Sequence, residues 1–147
     1  MSDALRDGKH NIVLVEDSPA DVYLLQRALR TAELDCELTV IDDGAEALAL
    51  VRQSGKDTTS TPPDLAIIDL NLPKHGGLEI LEEMHANPSF NEVPVLILSS
   101  SCSPRERAKM KKFRTGRFVA KPPDLEEFLK IGLIVKELLA ESRGRSR

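Results

Sequence analysis

Cysteine is scarce in this chain. Its two copies, Cys36 and Cys102, have no metal-ligand spacing and make no disulfide framework. A single disulfide between them is the alternative to idle thiols, and a reducing compartment favours the thiols. Positive charge is not in excess. Twenty Lys and Arg stand against 24 Asp and Glu, for a net charge of -4. That balance gives no footing for a nucleic-acid partner, and the short basic end at Arg143, Arg145 and Arg147 does not alter it. Long apolar runs are missing as well. No stretch approaches membrane-spanning length, and the polar start, Met1 to His10, has no apolar signal core. A soluble, cytoplasmic protein with no membrane partner is expected. There is no internal repeat.

What the chain does have is an alternation. Apolar runs of about four residues are separated by segments of helical period, the signature of βα units and a parallel sheet covered on both faces. Strands are expected near 12–15, 37–41, 65–68, 95–98 and 118–121, and helices near 19–31, 44–54, 77–87, 104–114 and 124–140. With 147 residues there is room for one domain and no second. The expected organisation is a flexible N-terminus at 1–10, a folded domain at 11–140 and a flexible basic tail at 141–147. Gly55 to Pro63 reads as an elongated loop. Ser18-Pro19-Ala20-Asp21 and Ser103-Pro104-Arg105-Glu106 mark helix starts, each with a capping serine, a proline at the first helical position and an acid in the first turn. In the last helix Leu125, Phe128, Leu129, Gly132, Val135 and Leu139 share one face.

An α/β chain of this size suits a doubly wound five-stranded parallel sheet of flavodoxin-like order 2-1-3-4-5, with its crevice at the carboxyl ends of strands one and three. Those strands end at Glu16-Asp17 and at Asp69. The fourth ends at Ser99 and the fifth at Lys121. Three carboxylates, a hydroxyl and an ammonium thus share one rim. Two carboxylates about 4 Å apart repel by about 4 kcal/mol at an effective dielectric near 20. Such a cluster raises a pKa or recruits a cation, and Mg2+ fits carboxylate and carbonyl ligands. Phosphoryl transfer needs an in-line nucleophile and positive charge on the equatorial oxygens. Asp69 would be the nucleophile, Lys121 the charge, Ser99 a hydrogen-bond donor, and Glu16 and Asp17 the metal ligands. Each residue has a plainer reading: strand-end acids often cap a helix, Lys121 before Pro122-Pro123 could be a loop lysine, and Ser99-Ser100-Ser101 alone says only loop. Their order on four of five strands favours the shared site.

These residues resemble the receiver domain of two-component response regulators. The resemblance is carried by Val13-Leu14-Val15-Glu16-Asp17-Ser18, Ile67-Ile68-Asp69-Leu70-Asn71-Leu72-Pro73 with Gly77, Pro94-Val95-Leu96-Ile97-Leu98-Ser99, and Phe118-Val119-Ala120-Lys121-Pro122. It runs from about Asn11 to Leu139. It implies that Asp69 is the phosphoacceptor, served by a sensor histidine kinase. It implies Mg2+, with Mn2+ or Ca2+ as substitutes, on the side chains of Asp17 and Asp69, the backbone carbonyl of Asn71, and Glu16 through a water. Ser99 would be the switch hydroxyl and Phe118 the switch ring. Lys121 would contact the phosphoryl group, and a cis bond would precede Pro122. Val15-Glu16-Asp17-Ser18-Pro19-Ala20-Asp21 and Asp69-Leu70-Asn71-Leu72-Pro73-Lys74 look most like the stand-alone receivers that serve phytochrome-type kinases. The chain departs from the family at Arg114-Thr115, where glycine and alanine are usual.

Arg105, Arg107, Lys109, Lys111, Lys112 and Arg114 make the fourth helix basic, and Glu126, Glu127 and Glu137 make the last one acidic. The resemblance makes helix four, strand five and helix five the face that changes on phosphorylation. A homodimer through that face is expected. His10, His75 and His85 read as solvent-exposed. Three other functions fit these residues less well. An aspartyl-phosphate phosphatase needs an acid where Asn71 stands. A flavin or nucleotide binder needs a phosphate loop where Glu16-Asp17 would repel it. A degenerate scaffold would not keep the acids, serine and lysine together. The expected protein is a phosphorylation switch rather than an enzyme with turnover.

Overall fold

The computed structural model describes residues 9–54, 56, 62–73, 76–101, 103–113 and 116–145. Five parallel strands form one sheet in the order β2-β1-β3-β4-β5. They are β1 (His10–Val15), β2 (Cys36–Ile41), β3 (Leu65–Asp69), β4 (Val95–Ser99) and β5 (Gly116–Ala120). The central strands β3 and β4 are buried at every position, as continuous apolar runs covered on both faces must be. The register pairs Val15 with Ile68 and Asp69 with Leu98, so the strand ends lie on one edge.

Helices α1 (Pro19–Thr31), α2 (Gly44–Gln53), α3 (Gly77–Ala86) and α4 (Pro104–Met110) follow the first four strands. Two apolar cores result. Ile68, Ile80, Leu81, Ile97 and Phe90 lie on the side of α2 and α3. Leu14, Leu25, Ile67, Leu96 and Ile131 lie on the side of α1 and the last helices.

The structure departs from the sequence reading in several places. The helix expected over 104–114 ends at Met110, because Lys111, Lys112 and Phe113 bond three residues back and tighten into turns. A 3-10 helix, Pro88–Phe90, was not expected. The single helix expected over 124–140 is two, α5 (Leu125–Leu129) and α6 (Ile131–Arg145). They break at Lys130, where N–H groups again bond three residues back. Gly132 sets the local geometry: a Cβ there would lie 2.2 Å from the Ala28 carbonyl oxygen of α1. Leu125 is exposed rather than on the core face, while Ile131 and Leu138 are buried in it. Among the described residues no peptide bond is cis, so Pro122 follows a trans bond rather than the cis bond expected. An X–Pro bond prefers trans by about 0.5–1 kcal/mol without a contact that favours cis.

Cys36 is free and half-buried, and burial pushes its thiol up. Most of the loop at Gly55–Pro63 lies outside the described residues, as do Cys102, His75 and Arg114-Thr115. His10 is half-buried in β1, and His85 is exposed and packs edge-on against Phe113, their rings 5.2 Å apart.

Candidate functional site

The site begins where β1 stops. Ser18 caps α1, its hydroxyl accepting from the Asp21 amide at 3.3 Å. That cap turns the chain sharply after Asp17. Glu16 remains inside the fold at 1% exposure, while Asp17 faces solvent. One Glu16 oxygen accepts from the Ser18 amide at 3.2 Å, and the other from the Lys121 ammonium at 3.1 Å.

Asp69 ends β3 and is also buried. Its Oδ1 accepts from the Asn71 amide at 3.0 Å. The chain after it returns closely enough that a Cβ on Gly77 would lie 2.8 Å from the Asp69 carbonyl oxygen. Only glycine lets the start of α3 pack here. Lys121 follows β5, with its amide donating to the Ser99 carbonyl at 2.7 Å. Its Nζ lies 2.7 Å from Asp21, 3.1 Å from Glu16 and 3.6 Å from Asp69. Burial works against the charge on Lys121. The hydrogen bond to Asp21 and the charges of Glu16 and Asp69 together outweigh it, and the ammonium is held above its ordinary range.

Glu16, Asp17 and Asp69 each offer an oxygen within 4.8 Å of the others. The donor set is all oxygen, which suits a hard divalent cation. The carboxyl of Glu16 is pushed up to about 7, by burial first and then by the charge of Asp69, even with Lys121 beside it. Glu16, Asp17 and Asp69 set three carboxylates against the one ammonium of Lys121, a crowding that a bound cation relieves.

The opposite wall is neutral. Ser99 ends β4, buried, with its hydroxyl within reach of Asn71 Oδ1 at 3.0 Å and of the Ser101 carbonyl. Asn71 Oδ1 also accepts from the Ser100 amide at 3.1 Å, and its Nδ2 donates to the Ser101 carbonyl at 3.1 Å. Phe118 is half-buried in β5, with the Arg107 guanidinium 5.1 Å from its ring centroid. Glu16, Asp17, Asp69 and Lys121 are thus brought together, with Ser99 on the next strand and Phe118 farther down β5. Sequence reasoning missed the contact of Asp21 with Lys121, the Asn71 side chain as a tie to the β4–α4 loop, and Arg107 over Phe118. It had placed Asp21 only as a first-turn acid and Asn71 only through its carbonyl.

The family profile of the response regulator receiver domain matches residues 12–131. The chain belongs to this family. Response regulator Rcp1 of Synechocystis sp. is 36% identical to this receiver over 120 residues, which cover 82% of each chain. The phosphorylated cyanobacterial phytochrome response regulator RcpA superposes with a TM-score of 0.78 at 32% identity, covering 90% of this receiver and 94% of that chain. The Mn2+-bound form of Rcp1 superposes with a TM-score of 0.75 at 34% identity, covering 86% and 91%. The receiver spans 59% of the length of a plant two-component response regulator that it also matches. Among the described residues no helix is long and apolar enough to cross a membrane.

Proposed function

We propose that this receiver accepts a phosphoryl group on Asp69 from the phosphohistidine of a sensor kinase and signals by a change of shape. The observation that carries the reading is the Lys121 ammonium 3.6 Å from Oδ2 of the buried Asp69, with the buried Glu16 beside it. In the transfer an Asp69 oxygen forms a bond to phosphorus, the P–N bond breaks, and its electron pair returns to the imidazole. Lys121 binds one phosphoryl oxygen and Ser99, released from Asn71, donates to another. Glu16, Asp17, Asp69 and the Asn71 carbonyl would hold Mg2+, which when bound would supply positive charge for the incoming group. The acid cluster of Glu16, Asp17 and Asp69, and the Mn2+ bound in the Rcp1 structure, support a divalent cation at this site.

The resemblance to Rcp1 and RcpA supports a phytochrome-type kinase as donor. The signal leaves through α4, β5 and the pair α5–α6, where Phe118 turns inward as Ser99 moves. Exposed Arg105, Arg107 and Lys109 on α4 offer charge for a homodimer. Not all the facing acids are open to it: Glu137 pairs with Arg117 at 3.3 Å and Glu127 with Lys130 at 2.9 Å in the same chain. The receiver works in the cytoplasm and spends one phosphoryl group per signal, so it is a switch without turnover. Its working unit is residues 11–140.

Incubation with acetyl phosphate and Mg2+, followed by intact mass, tests the assignment. One phosphate is expected on the wild type and none on Asp69→Asn. Labelling that persists in the variant removes Asp69 from its role.

A further inference from the structure

We propose that Asp21 is a positioning residue that holds the Lys121 ammonium back from Asp69, competing with the phosphoryl group for it. This rests on Asp69 being the phosphoryl acceptor. An ammonium has three N–H donors. Two are spent at hydrogen-bonding distance, on Asp21 Oδ2 at 2.7 Å and Glu16 Oε1 at 3.1 Å. Asp69, at 3.6 Å, has only a longer ionic contact. The shortest contact of the Lys121 ammonium is therefore with Asp21 and not with the proposed acceptor.

The plain reading of Asp21 is an acid favoured by the dipole in the first turn of α1. Geometry assigns it more. The Ser18 cap fixes its backbone, and its carboxylate reaches out of the helix to Lys121. Lys121 is only 12% exposed, so water does little to screen the pair. Glu16 is tied at its other oxygen by the Ser18 amide and cannot follow the ammonium freely. Asp21 has no such tie among the described residues, and at 24% exposure it can return to water when Lys121 leaves. The phosphoryl group adds negative charge beside Asp69 and draws Lys121 toward it, so Asp21 gives way. Its carboxylate sets how hard that pull must be.

The test is the affinity of the full chain for beryllofluoride, a phosphoryl mimic, at saturating Mg2+. It is read by fluorine NMR for the wild type, Asp21→Asn, Lys121→Ala and the double variant, with Asp21→Ser as a second neutral replacement. Thermal melts check that each variant folds. The neutral variants should bind the mimic about fivefold more tightly than the wild type, the scale of one modest ion pair. Asp21→Glu, which restores the charge, should return toward the wild-type affinity. In the Lys121→Ala background the Asp21 substitution should change nothing. Neutral variants that bind no more tightly than the wild type overturn the proposal. So does a gain that survives without Lys121, since Asp21 would then act through bulk charge. If acetyl phosphate leaves the wild type unlabelled, Asp69 is not the acceptor, and that reading falls first and takes this one with it.

Discussion

The two walls of the crevice are made of different forces. On one, Glu16, Asp21, Asp69 and Lys121 are joined by charge in a largely buried setting. On the other, Asn71 and Ser99-Ser100-Ser101 are joined by neutral hydrogen bonds, and Asn71, Ser100 and Ser101 are exposed. A neutral bond contributes about 1 kcal/mol net, while a buried charge left without its partner costs about 3–5 kcal/mol. The charged wall is therefore held in place by the penalty for breaking it. The neutral wall can be rebuilt at little cost, so it is the wall that is free to move.

Substitutions can break or sharpen that contrast. The largest effect on stability is expected for Lys121→Ala, which leaves Glu16 and Asp69 without their counter-charge. Denaturant melts at pH 8 without divalent cation should show a loss of about 3 kcal/mol, and less at pH 5, where Glu16 takes up a proton. An equal loss at both pH values would mean that packing, not charge, binds this wall.

The wild type should show the same charge through pH. Glu16 holds its proton up to about 7 in the folded protein, against an ordinary 4.5. Between these values the native state binds more protons than the unfolded one, so stability falls as pH rises through that window. A decline of about 3 kcal/mol at most is expected without metal, and Mg2+ should flatten it. A flat curve in the absence of metal would contradict the account of Glu16.

Asn71→Ala should cost about 1 kcal/mol or less while speeding hydrogen exchange at the Ser100 and Ser101 amides. A larger cost would make the neutral wall as rigid as the charged one. The smallest effect is expected at Arg107→Ala. It removes an exposed cation–π contact of about 0.5 kcal/mol and should be visible mainly as a shifted Phe118 ring signal in NMR.

The same contrast governs what could be read from sequence. The strand ends were legible because a doubly wound sheet must bring them to one edge, so Glu16, Asp69, Ser99 and Lys121 met without any knowledge of side chains. The apolar runs of β3 and β4 fixed their own burial. Asp21 was not legible, because an acid in a first turn has a sufficient local reason to be there, and its partner lies 100 residues away. The Asn71 side chain bonds residues 28 to 30 positions on, a distance no local spacing encodes. The break between α5 and α6 was hidden for a related reason. Leu129-Lys130-Ile131-Gly132 contains no proline and keeps its apolar period, and the contact with Ala28 that fits Gly132 belongs to another helix.

That contact bears on the mechanics of the whole edge. Asp21 and Ala28 ride on the same rod, two turns apart, and at Ala28 the rod's backbone rests against Gly132 with no side chain as cushion. A joint of bare backbone has no slack to absorb sliding or rolling. The helix that carries Asp21 is thereby anchored from behind, so rearrangement at the crevice falls to side chains, Lys121 and the carboxylate that grips it, and to the loop opposite.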